Sequence, residues 1–278
     1  MAKKSRDSAK FLYKTKCGRA MLKILAAPSV SRACGRFLDS KASKGLAKRY
    51  IRKNHIDPND YYGWPYRSFN SCFTRKIREE KRPIAEDPST LISPCDGYLS
   101  AYKVNKGTVL PIKQSSYSVN SLLENDALAN RYNDGTCLVF RLNVSNYHRY
   151  CYIDEGYKGE NTFIPGRLHS VRPVALEKFP VFIRNSREYT VMETEHFGTV
   201  TQVEVGAMLV GKIKNYHEFY MPRRGEEKGL FEYGGSTIIL LFEKGTVKLD
   251  ENLFTDTVAH KERPVRLGEA IGKSTETK

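Results

Sequence analysis

The sequence predicts an α+β fold, with basic amphipathic helices at the N-terminus followed by a mainly β domain. Three observations predict it. Residues 1–56 hold 16 Lys and Arg against Asp7 and Asp39 alone, whereas the remainder holds 30 bases and 29 acids. The same first stretch carries its apolar residues at helical spacing. After "DPNDYYGWP" the texture changes to short runs rich in Val, Ile, Thr and aromatics, separated by Gly, Asn and Pro, as strands and their turns read. The division this implies is a basic helical region at 1–56 and a β-rich domain at 57–278.

Each element follows from a local pattern. Over residues 11–27, Tyr13, Cys17, Ala20, Met21 and Ile24 share a helical face, Lys16, Arg19 and Lys23 lie to another side, and Pro28 closes the segment. A second helix is expected over 29–54, stopping before Asp57-Pro58. Shorter helices are expected at 68–80 and 118–126. Strands are expected in "CLVFRLNV", "GTVTQVEVGAMLVGKI", "GLFEY" and "TIILLFEKGTVKL". The polar tail after Val265 is expected to fray.

Composition narrows the function classes. The chain of 278 residues is 40% hydrophobic, enough for a real core, yet no run approaches the about 18 to 20 apolar residues of a membrane span. Lys14, Lys16, Arg19 and Lys23 interrupt any secretory-type apolar core, so export is not expected. The six cysteines at 17, 34, 72, 95, 137 and 151 show neither a CxxC pair nor zinc spacing, which points to a reducing cytoplasm and no metal. A basic segment on a neutral body calls for a polyanionic partner. An anionic membrane surface fits best, because basic amphipathic helices settle in the headgroup layer; nucleic acid is set aside, since no reading motif accompanies the charge. The plainer alternative is that these helices pack on the body with a solvated basic face.

Five stretches of the β-rich part hold residues suited to chemistry: "SPCDGYL" at 93–99, "NYHRYCYIDEG" at 146–156, "GRLHSVRPVA" at 166–175, "VEVGAMLVGKI" at 203–213 and "LFEYGGSTIILLFEKG" at 230–245. Taken singly, each has a plain reading. Asp96-Gly97 suits a turn, His148 a structural histidine, Gly206 and Gly211 close strand packing, and Gly-Gly-Ser-Thr a hairpin between two strands. No phosphate-binding or dinucleotide fingerprint is present, because no Lys follows the Gly-Ser-Thr and no helix is expected after it. A hydrolase elbow is also absent, since Ile238 stands where its second Gly belongs.

Taken together and in this order, the motifs resemble those of the phosphatidylserine decarboxylase family over about residues 60–250. Gly-Gly-Ser-Thr is similar to the family's Gly-Ser-Thr processing site, with Gly in place of Leu before it. The resemblance implies a proenzyme in which Ser236 attacks the carbonyl of Gly235, the chain parts into 1–235 and 236–278, and a covalent pyruvoyl cofactor remains where Ser236 stood. It implies Asp96 and a histidine as the relay to Ser236, and a Schiff base between the pyruvoyl group and the serine headgroup for decarboxylation to phosphatidylethanolamine. His148 in "YHRYC" matches the family's first histidine. The second, three residues on, is Cys151 here, which leaves His148, His169 or Cys151 as the base of self-cleavage.

The resemblance makes residues 57–278 the catalytic domain and residues 1–56 a membrane-associating region, peripheral on the cytoplasmic face of the cell membrane. The expected partners are the anionic phospholipid surface and phosphatidylserine, with the two product chains remaining associated; a homo-oligomer is compatible with all of this. Two other readings stay open on the residues alone: a noncatalytic basic module binding membrane or RNA, and a pyruvoyl decarboxylase of a related aminoacyl substrate.

Overall fold

The computed structural model describes residues 28–105, 107–112, 115–168, 183–206, 212–232 and 236–275. The helix expected over 11–27 lies outside the described residues. Pro28 starts a helix, α1 (Pro28–Asp39); at a first helical position its missing N–H is a donor that would have no helical partner anyway. The segment expected as one helix over 29–54 is two, α1 and α2 (Lys44–Lys53), joined by a 3-10 turn at Lys41–Ser43. Serine hydroxyls make the break: Ser40 Oγ donates to the Phe37 carbonyl and Ser43 Oγ to those of Leu38 and Ser40, taking acceptors that a continuing helix would use. On α2, Ala47 and Ile51 are buried while Lys48, Arg49 and Arg52 are exposed. They join Tyr66 and Cys72 in a small core, to which α3 (Phe69–Phe73) contributes behind a Ser68 capping box.

Helix was expected to run to about residue 80, but α3 ends at Phe73. Residues 76–78 instead pair with 60–62, Tyr62 N–H donating to the Lys76 carbonyl and Arg78 N–H to that of Asp60. There follow β1 (Thr90–Ile92), β2 (Gly97–Lys103), β3 (Leu110–Ile112), β4 (Ser115–Tyr117), and the short helices α4 (Val119–Leu123) and α5 (Asp126–Arg131). Glu124 at φ 49° divides those two helices, and Asn125 caps the second. Then come β5 (Thr136–Leu142), β6 (Arg149–Cys151), β7 (Gly156–Ile164), β8 (Arg167–Leu168), β9 (Ile183–Arg184), β10 (Arg187–Thr194) and β11 (Gly198–Val205). The described chain finishes with β12 (Lys212–Asn215), β13 (Glu227–Glu232), β14 (Ser236–Phe242), β15 (Val247–Leu249), α6 (Glu251–Val258), β16 (Arg263–Val265) and β17 (Ala270–Ser274).

Among the described residues the centre of the molecule is an antiparallel seven-stranded sheet in the order β16-β2-β5-β14-β11-β10-β7. A three-stranded sheet, β12-β13-β6, supplies Tyr150, Cys151 and Phe231 to the core that contains Ile238, Leu240 and Phe242 of β14. Ile239 and Leu241 enter a second core with Leu122, Leu123 and Ala129. Every residue of β14 is buried. That is why its sequence is a continuous apolar run rather than an alternating one.

Two readings are corrected here. The tail does not fray after Val265: β17 is the middle strand between β1 and β15, and Ile271 is buried in the core. Backbone pairing and one well-placed isoleucine outweigh the polar composition. Nor are the runs flanking Gly-Gly-Ser-Thr a hairpin. β13 pairs with β12 and β6, whereas β14 pairs with β11 and β5, so the chain changes sheets between Glu232 and Ser236.

Candidate active site

The register of the large sheet gathers the motifs at one end. Tyr98 faces Arg141, Arg141 faces Thr237, Thr237 faces Val205 and Val205 faces Arg187. One step further along lie Gly97 at the head of β2, Leu142 paired with Ser236, and Gly206 after β11. Asp96-Gly97 is thus no hairpin tip. A Cβ at Gly97 would stand 3.0 Å from the Arg141 carbonyl oxygen, so a bare backbone lets β2 lie this close to β5.

Ser236 is 3% exposed and has the strand parity of Ile238, Leu240 and Phe242, the face toward β6 and β13. His148, immediately before β6, lies beside that same layer. Its backbone carbonyl accepts from Phe231 N–H at 2.9 Å, five residues before Ser236. Its ring is fully buried against Phe73, with centroids 4.0 Å apart. Nδ1 lies 2.9 Å from the Asn146 carbonyl. A carbonyl can only accept, so Nδ1 carries the proton and Nε2 is the basic nitrogen.

Asp96 is 6% exposed and is held from a direction the sequence does not suggest. Arg82 donates Nε to Oδ1 at 2.8 Å and Nη2 to Oδ2 at 2.5 Å, and Leu267 N–H donates to Oδ1 at 3.0 Å. Among the described residues the His148 ring is hydrogen-bonded to the Asn146 carbonyl and not to Asp96, which is fixed by a two-pronged guanidinium contact. Sequence reasoning missed both: Arg82 is one of five basic residues between positions 75 and 82 with nothing local to single it out fourteen positions before Asp96, and a backbone carbonyl leaves no signature. An Asp–His pair does exist elsewhere, Asp154 with His196 Nδ1 at 3.0 Å. It sits beside the β10–β11 turn, at the far end of β11 and about 26 Å along the strand from Ser236, too far for a relay.

Cys151 is 1% exposed within the apolar core, and burial pushes its thiol up to about 12. A thiol this reluctant to ionise is a poor base near neutral pH. Cys95, fully buried, is pushed well above the usual range as well, by burial and then by the neighbouring Asp96. His169, Gly235 and Gly211 lie outside the described residues.

The sequence as a whole is similar to known proteins. The family model for phosphatidylserine decarboxylase matches residues 69–273. The chain belongs to the phosphatidylserine decarboxylase family. Phosphatidylserine decarboxylase proenzyme 2 of Clostridium acetobutylicum is 42% identical over 268 residues, covering 96% of this chain and 92% of that protein. The phosphatidylserine decarboxylase proenzyme of Clostridium novyi is 39% identical over 269 residues, covering 95% and 91%. That of Clostridium botulinum is 38% identical over 266 residues, covering 94% and 90%. The family match runs from the start of α3 into β17, so the helix that walls His148 and most of the tail strand fall within the matched region. No helix among the described residues is long and apolar enough to cross a membrane.

Proposed function

We propose that the chain is a proenzyme that cuts itself between Gly235 and Ser236, acquires a pyruvoyl group and decarboxylates phosphatidylserine to phosphatidylethanolamine. One observation supports this above the rest: Ser236 begins a fully buried central strand that the chain enters from a different sheet. A turn between paired strands has no use for a buried hydroxyl there. A bond about to be cut at a sheet crossover can be lost without opening either sheet.

The residues divide the work as follows. His148 Nε2 takes the Ser236 proton as Oγ attacks the carbonyl carbon of Gly235, then delivers it to the nitrogen as the C–N bond breaks, so that an ester replaces the amide. Loss of the Cα proton with cleavage of the Cβ–O bond frees residues 1–235 as a carboxylate and leaves dehydroalanine at position 236. Its imine tautomer takes up water and releases ammonia. The resulting pyruvoyl group supplies an electrophilic carbonyl that accepts the electron pair left by carbon dioxide. His148 returns a proton to the former α-carbon. Asp96 accepts three hydrogen bonds of about four it can take, and its remaining acceptor position and charge serve the relay, for which His169 is the alternative base.

The two products stay together because β14, at the head of the smaller, is hydrogen-bonded between β5 and β11 of the larger. The basic N-terminal region docks the enzyme on the anionic cytoplasmic face of the cell membrane.

Intact mass of the purified protein tests the reading. Two fragments are expected, the smaller beginning at position 236 with pyruvoyl mass and a blocked N-terminus, and Ser236→Ala should remain one folded, inactive chain. A wild-type protein of a single mass would refute self-processing.

A further inference from the structure

Two adjoining cavities meet at Arg149 of β6. The first, of 520 Å³, is floored by Tyr147 and Cys151 and walled by Arg82 and Leu267, the two residues that hold Asp96. The second, of 410 Å³, shares Lys76 and Arg149 with it and ends at the 62–65 loop. Tyr62 and Trp64 of that loop are 44% and 46% exposed. Seven basic residues line the pair of cavities against three acidic ones, Glu79, Glu226 and Glu227.

Their ion pairing decides what is left for a ligand. Arg82 is committed to Asp96 and Arg149 to Glu227 at 2.6 Å. Glu226 already accepts from the Tyr220 hydroxyl and from Arg223 N–H. Arg75 and Arg224 direct their terminal nitrogens at backbone carbonyls. Exposed Arg67, Lys76 and Arg223 have no carboxylate partner within ion-pair distance among the described residues. The groove thus has a cationic middle, an end at the residues that fix Asp96 and an end at exposed aromatics.

The geometry points to this groove as the seat of the glycerophospholipid headgroup, with the phosphodiester held by Lys76 and Arg223 and the glycerol and acyl chains leaving past Tyr62 and Trp64. The inference rests on the proposed activity. A serine headgroup that sends its amine and carboxylate past the Asp96 end of the groove toward position 236 leaves its phosphate in the middle, where Lys76 and Arg223 have no carboxylate partner among the described residues. Aromatic side chains at the rim suit the headgroup level of a bilayer. A monoanionic phosphodiester matches cations that lack carboxylate partners, whereas an uncharged headgroup would leave them unused.

Binding can be measured without turnover on full-length Ser236→Ala, using glycerophosphoserine, inorganic phosphate and free serine in calorimetry. Glycerophosphoserine is expected to bind more tightly than either of the others. Arg223→Glu and Lys76→Glu should each weaken it about tenfold, Arg223→Lys and Lys76→Arg should restore it to within about threefold, and Lys48→Glu on α2 should leave it unchanged. In the active protein the charge reversals should raise KM for phosphatidylserine vesicles far more than they lower kcat. Wild-type affinity in both reversals, or loss that the charge-keeping variants do not restore, would overturn the assignment. Equal affinity for inorganic phosphate would make this a free-phosphate site and also overturn it. The binding arm is separate from activity: glycerophosphoserine binding by a protein with no decarboxylase would sink the proposed reaction and leave the groove standing.

Discussion

At the scale of single residues, the unresolved question in the sequence was which group moves the proton where the family's second histidine is replaced by Cys151. The thiol sits in an apolar core with its ionisation pushed up to about 12, whereas His148 is oriented by the Asn146 carbonyl with Nε2 left basic. Cys151→Ala should therefore self-cleave within about threefold of the wild-type rate. His148→Ala should slow self-cleavage by the 10²-fold to 10⁴-fold that a positioned base supplies, and should also impair carbon dioxide release from whatever fraction has been cut. Fragment appearance on a denaturing gel and labelled carbon dioxide separate the two steps. Normal processing in His148→Ala, with failure in His169→Ala, would move the base to His169. Ser236, Asp96 and His148 could be named as candidates because each sits in a short motif of fixed order. Arg82, Asn146 and Phe73 were not, since they make contact through one guanidinium among several neighbouring bases, a carbonyl and a ring face, and none of these leaves a spacing in the chain.

At the scale of elements, the two sheets are joined by a buried polar layer that no motif announced. Lys228 on β13 donates to Glu204 on β11 at 2.8 Å and to Asn215 on β12 at 2.7 Å, and Gln202 Nε2 also donates to Glu204. Lys228 and Glu204 are both fully buried. Breaking one side of such a pair is expected to destabilise by about 3 to 5 kcal/mol, because the remaining charge stays buried. Lys228→Met should show this in urea unfolding of the uncut Ser236→Ala chain, and adding Glu204→Gln should recover most of it; no recovery would mean that the network, not the charge, is what matters. Lys158 on β7 lies near the same layer with its pKa lowered to about 8, by burial first and then by Lys228. The unfolded chain holds that proton to about pH 10.4, so between pH 8 and 10.4 the unfolded state binds more protons and this residue's contribution to stability rises with pH. Wild type minus Lys158→Met should show that positive slope, and a flat difference would count against the lowered pKa. Strand existence was legible from β-branched runs, but the partner of each strand was not. The β13-to-β14 crossover and the pairing of β17 depend on contacts across the sequence that a local pattern does not contain.

At the scale of the whole molecule, charge and packing divide the chain at different places. The basic excess ends near residue 56, yet α2 is tied to the active-site side of the body. The Tyr50 hydroxyl donates to the Val144 carbonyl. Arg75 stacks 4.5 Å from the Tyr61 ring centroid, with Tyr50 at 6.0 Å, and donates to the carbonyls of Ser145 and Asn146. Asn146 is also the acceptor for His148. A contact path thus runs from α2 through Arg75 to the His148 imidazole, and Ala47 and Ile51 cover Tyr66 and Cys72. Removing residues 1–54 should therefore impair self-cleavage together with membrane binding. Removing only residues 1–27 takes away eight basic residues and Asp7 but none of the residues named in that path. At about 1 kcal/mol per basic residue near an anionic surface, this shorter truncation should weaken binding to phosphatidylserine-containing vesicles by at least a hundredfold at about 0.1 M salt, less at higher salt where charges are screened, and should leave self-cleavage at its normal rate. Vesicle co-sedimentation and gel analysis of the same preparations measure both. Unchanged vesicle binding after loss of residues 1–27 would place docking on α1, α2 and the 62–65 loop, and normal cleavage after loss of residues 1–54 would show that His148 does not depend on the helices packed behind it.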